Sequence, residues 1–230
     1  MKKLTFGEKA LGFYKTLNAP LHISPKIEII HPYKVPEVQR YMRKFYGKFF
    51  SDNKTRVFVF GINPGRFGSA TTGISFTDPI ALEQFCGIKN TVAKRRELSS
   101  EFVYKFIEQW GGAKVFYKDF FLTAVSPIGF TRDGINYNYY DDPVFFSRLK
   151  PFLVDMIKKQ IALGATRKAV IVFGVGKNLK IFNELNDEYG FFEKVRAIEH
   201  PRFIMQYQRK NISKYLKKYH GIFSQTLLCK

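Results

Sequence analysis

Val57-Phe58-Val59-Phe60-Gly61-Ile62-Asn63-Pro64-Gly65-Arg66-Phe67-Gly68, continued through Thr72-Gly73-Ile74-Ser75-Phe76, decides the fold. An unbroken apolar run rich in β-branched and aromatic residues reads as a buried strand, and Asn-Pro-Gly stops it with turn chemistry. The strand therefore delivers one polar side chain, Asn63, to its carboxyl end, the rim where open α/β sheets bind ligands. Gly65, Gly68 and Gly73 let the backbone approach a flat or charged group, with Phe67 and Phe76 as apolar walls. Taken alone, the stretch also reads as an ordinary turn with two core aromatics.

The design recurs further along. Asp119 to Gly129 is again an apolar run that ends in a small polar residue and proline, Ser126-Pro127. Lys168 to Gly174 gives a third strand and Val195 to Glu199 a fourth, which ends at His200-Pro201-Arg202-Phe203. Helical patterns separate the strands. They cover residues 1–19 and 37–50, a short helix capped by Asp78-Pro79 through Phe85, Ser99 to Trp110 closed by Gly111-Gly112, a long one from Pro143, one through Tyr189, and a basic one from Gln208 to His220. Pro20, Pro25, Pro32 and Pro36 mark Asn18 to Pro36 as an extended arm. Lys89 to Arg96 reads as a basic connector and Asn136 to Pro143 as a polar aromatic loop. Gly174-Val175-Gly176-Lys177 lacks the spacing of a phosphate loop and is a strand-to-helix turn.

Buried strands alternating with helices give an α/β fold, a parallel sheet with helices on both faces. Right-handed crossovers bring all strand carboxyl ends to one edge, so Asn63, Ser126 and His200 meet there. Of the four histidines (His22, His31, His200 and His220) only His200 sits at a strand tip. An amide can hold a water by donating and accepting, and an imidazole can stabilise a leaving group.

Composition narrows the partner. The 230 residues carry 38 Lys and Arg against 19 Asp and Glu, a formal net charge of +19, with 17% aromatic residues. That excess points to a polyanion, nucleic acid before an anionic membrane, with aromatics available to stack on bases. Two cysteines, Cys86 and Cys229, are too few for a disulfide framework or an ordinary iron–sulfur cluster. No apolar stretch reads as a signal peptide or membrane span, and a cytoplasmic location is expected. Arg209, Lys210, Lys214, Lys217 and Lys218 are either phosphate contacts or a solvated face.

The stretch from Gly61 to Gly68, with Thr72 to Phe76, resembles the first motif of the uracil-DNA glycosylase superfamily, in its single-strand-selective monofunctional branch. His200-Pro201-Arg202-Phe203 resembles the second motif. The resemblance implies a three-layer α/β/α sandwich around a four-stranded parallel sheet, in which residues 51–230 form the catalytic domain and residues 1–50 a helix and arm packed on it. It implies a monomeric enzyme that removes uracil and other deaminated bases from DNA by base flipping, with no cofactor and no metal. By the same resemblance, Asn63 positions the water and His200 is the catalytic histidine. Phe76 corresponds to the aromatic that stacks on the base, and the backbone around Ile62 would face the base's carbonyl oxygen. Gly61, Phe67 and Ser126 are further expected base contacts, and Gly65, Arg66, Arg202 and Phe203 are expected to contact DNA. Arg202 to Tyr207 corresponds to a loop that wedges into the duplex.

One departure stands out. Uracil-selective members carry an asparagine before the proline, and this chain has Thr123-Ala124-Val125-Ser126-Pro127. Ser126, Asn136 or Asn138 could substitute, so a broader base range is expected. The alternative is a non-catalytic single-stranded nucleic-acid-binding protein. A nuclease or phosphotransferase lacks a carboxylate cluster and a complete phosphate loop.

Overall fold

The computed structural model describes residues 3–20, 24 and 26–230, so His22 and Pro25 lie outside the described residues. In chain order its elements are α1 (Phe6–Thr16), β1 (Glu28–Ile30), α2 (Pro36–Phe49), β2 (Val57–Gly61), α3 (Ser69–Thr72), α4 (Pro79–Gln84), α5 (Leu98–Gln109), α6 (Ala113–Asp119), β3 (Phe120–Ala124), β4 (Gly129–Arg132), β5 (Ile135–Tyr137), α7 (Pro143–Ile161), β6 (Val170–Phe173), α8 (Lys177–Tyr189), β7 (Val195–Ile198), α9 (Pro201–Tyr207) and α10 (Ile212–Leu227).

The four apolar runs form one sheet in the order β3-β2-β6-β7, every pair parallel. Consecutive strand residues point to opposite faces, and Phe120 and Phe121 report both. The Phe121 ring meets Phe6 of α1 and Phe58 of β2 at 5.0 and 4.8 Å. That of Phe120 meets Phe116 of α6 and Phe223 of α10 at 5.0 and 4.9 Å. Helices thus cover both faces, which explains why β2, β3 and β6 are buried throughout and read as continuous apolar runs.

The start of β2 is pinned by Arg56, fully buried beneath the rings of Phe6 and Phe50 at 4.7 and 4.8 Å. Its charge is answered by Asp52 at 3.0 Å, and its Nε donates to the Tyr117 carbonyl. Thr5 and Glu8 cap α1 reciprocally, which starts that helix at Phe6.

Several expectations need correction. The arm from Asn18 to Pro36 is not merely extended, because β1 within it pairs antiparallel with β4, and β4 with β5, in a second sheet. Asn136 and Tyr137, read as part of a loop, therefore belong to the strand β5. The segment after Pro201, expected as a loop, is the helix α9, and the basic helix runs Ile212–Leu227 rather than Gln208 to His220. No helix among the described residues is long and apolar enough to cross a membrane.

Candidate active site

The register aligns Gly61 with Ala124 across β2 and β3, and Phe173 with Ile198 across β6 and β7. Strand ends that stop level with one another leave their following residues on one rim. Past β2 the ladder holds for two more bonds, from Val125 N–H to the Gly61 carbonyl and from Ser126 N–H to that of Ile62, both 3.1 Å. Asn63 is the first residue beyond them. Its Nδ2 donates to the Tyr137 carbonyl at 3.2 Å and its Oδ1 accepts from Tyr139 N–H at 3.3 Å. These bonds orient the amide and leave it one N–H and one lone pair.

Phe76 comes from the end of the same loop. Its φ is +56°, a left-handed conformation that costs a non-glycine residue about 1–2 kcal/mol. The ring folds back over Gly61, where a Cβ would lie 2.4 Å from Phe76 Cζ. Gly61 is thus required by the ring above it rather than by its own backbone angles. The ring also packs edge-on to Phe173 at 5.2 Å.

His200 caps α9 from the end of β7. Its Nδ1 accepts the Arg202 N–H at 3.2 Å, which puts the proton of the neutral ring on Nε2. Burial, reinforced by the charge of Arg202, lowers the imidazole pKa from 6.5 to about 4. The ring is 5.9 Å from that of Phe76.

Asn63, Phe76 and His200 line one cleft of about 540 Å³, together with Ile62, Gly65, Arg66, Phe67 and Arg202. Three residues expected in the site do not line it. Gly61 lies beneath Phe76. Ser126 is fully buried and its Oγ donates to the Ile128 carbonyl at 2.7 Å, so it does not replace the missing asparagine. Phe203 is exposed on α9, its ring 5.6 Å from that of Tyr207.

Ala124 lines the cleft at the end of β3, while Asn136 of β5 and Asn138 just past that strand line it from the second sheet's side. Asn136 Oδ1 accepts from Arg66 N–H at 3.3 Å, and Asn138 is tied to Asp141. Arg95, Arg96 and Glu97 also line the cleft, which the sequence did not single out beyond a basic connector. Both Glu97 oxygens cap α5, on Ser99 N–H and Ser100 N–H, and burial raises its pKa. Asp78 caps α4 at Ala81 and accepts from Glu97 N–H, as befits a cap.

The other described histidines lie elsewhere. His31 Nε2 meets the Leu17 carbonyl, and His220 packs on Trp110. Of the basic residues near the C-terminus, Arg209 and Lys218 face Glu101 and Glu199. Among the described residues no group of three His, Cys, Asp or Glu side chains is placed to hold a metal ion.

The model of the uracil DNA glycosylase superfamily matches residues 48–221. The crystal structure of wild-type SMUG2 from Pedobacter heparinus is similar, with a TM-score of 0.94 and 39% identity over 97% of this chain and 98% of that one. No curated protein matches the chain.

Proposed function

The chain belongs to the uracil DNA glycosylase superfamily, and from that premise we propose that it hydrolyses the N-glycosidic bond of uracil and other deaminated bases in DNA. The observation that carries this reading is the opening of the Asn63 amide and the His200 imidazole onto one cleft, beside the Phe76 ring. The target nucleotide leaves its stack to enter the cleft, and the base lies against Phe76.

Asn63 holds the attacking water with the N–H and lone pair that its backbone bonds leave free. An amide is too weak a base to take the proton early, so bond breaking leads. The base departs with the bonding electron pair, the water oxygen bonds to the sugar carbon, and the proton passes to solvent. His200, neutral and protonated on Nε2, donates to the base oxygen where negative charge grows. That bond strengthens as the bond to the sugar breaks, which is what accelerates a reaction.

The Ala124 methyl group offers no hydrogen bond to a base edge, which supports a range wider than uracil. Phe203 and Tyr207, exposed on α9 just beyond His200, are suited to fill the vacated stack as a helical wedge. The enzyme acts as a monomer, without a cofactor, in base excision repair.

Cleavage of single- and double-stranded oligonucleotides carrying uracil, hypoxanthine or xanthine tests the reading. Excision of uracil together with at least one deaminated purine is expected. Strict uracil preference would overturn the broader range, and no excision of any base would overturn the activity.

A further inference from the structure

Phe67 was expected to wall the base, yet its ring is already occupied. The Arg95 guanidinium lies over it at 3.5 Å and that of Arg66 at 4.9 Å. Two like charges gathered on one ring are costly unless an anion answers them.

Among the described residues no carboxylate oxygen lies within 4 Å of either guanidinium. No ion pair among the described residues uses Arg66, Arg95 or Arg96. The carboxylate that lines the same cleft, Glu97, is committed through both oxygens to the start of α5. Arg66 also keeps a buried Nε with no acceptor, an unmet donor on a cation.

The arrangement is built rather than incidental. Lys94 bonds Glu83 at 2.5 Å and the Asn90 carbonyl at 3.1 Å, which fastens the connector before Arg95. Arg66 N–H is held by Asn136.

We propose that Arg66 and Arg95, gathered on the Phe67 ring, form with Arg96 a clamp for a backbone phosphodiester of the nucleic acid at the lip of the cleft. This rests on reading the cleft as a DNA site. Guanidinium groups suit the task because their planar forks bond two phosphate oxygens at once while a face remains free to stack. Phe67 is then a positioning residue that aims two cations, not a surface for the base.

The test uses the full chain and a labelled single-stranded oligonucleotide with an uncleavable abasic analogue, followed by anisotropy across a salt series. Arg95 is exposed, so Arg95→Ala leaves the thermal midpoint in place. It is expected to weaken binding about tenfold, the worth of one charge-assisted contact. The slope of log K against log salt should shrink by about 0.7, one single-strand phosphate. Phe67→Leu should weaken binding with the slope retained, because the charges stay and only their aim is lost. In turnover with uracil DNA, the Arg95→Ala loss should fall on KM more than on kcat.

Unchanged affinity and slope in Arg95→Ala would overturn the clamp. Because binding is read without cleavage, variants that show these shifts beside a wild-type protein that never excises uracil overturn the glycosylase reading and leave the clamp standing.

Discussion

The His200 imidazole lies 5.9 Å from the Phe76 ring, tilted 46° to it. One arrives from the end of β7 and the other from the loop after β2, and a single cleft joins them. Phe76 holds its place at the cost of a left-handed backbone, and His200 holds its own by capping a helix. Strain of this kind persists only where surrounding packing enforces it, here through Gly61 and Phe173.

The ionisation of His200 predicts the pH profile. With a pKa near 4, an imidazole that works as a neutral donor is competent at all higher pH. At saturating substrate kcat is expected to stay level through neutrality and to fall on an acid limb near that value. Folding stability has the same sign. The unfolded ring binds its proton near 6.5, so this contribution is complete above 6.5 and is lost as pH falls through about 4. A kcat that declines as pH rises through 6.5 would show that the charged ring is the active form.

Gly61→Ala is expected to harm the site from beneath. The new methyl group would meet Phe76 Cζ at 2.4 Å, and the ring must move. Overpacking of this kind costs about 1–3 kcal/mol, visible in the denaturation midpoint, with a larger loss in kcat as the stacking surface shifts. Wild-type stability and turnover in this variant would mean that Phe76 is not held as described.

Ser126→Ala separates stability from selectivity. The Oγ donates inward to the Ile128 carbonyl, so its loss should cost about 1 kcal/mol and leave the ratio of uracil to hypoxanthine excision unchanged. A changed ratio would return Ser126 to the base-reading set.

The legible parts of the sequence were those set by burial. The strands β2, β3 and β6 are wholly buried, so they appear as apolar runs, and their polar tips followed from where those runs stop. The second sheet was not legible. Its strands β1 and β5 have three residues each and are partly exposed, leaving no run and no alternation to read. Arg202 to Tyr207 was read as a loop, whereas Pro201 is the first residue of a helix capped by His200. The packing of Arg95 on Phe67 depends on how a connector lies over a loop, which no local pattern encodes. The position of Ser126 was right in the chain but wrong in direction, because the ladder beyond β2 turns it inward.

The most direct measurement is alkaline strand scission of a single-stranded oligonucleotide with one uracil, after incubation with wild-type protein and with Asn63→Ala. Wild-type protein should leave an alkali-labile site at the uracil. Asn63→Ala should bind the oligonucleotide with little change and leave the strand intact at matched times. Equal scission by both proteins would contradict the role of the amide at the cleft, and no scission by either would contradict glycosylase activity itself.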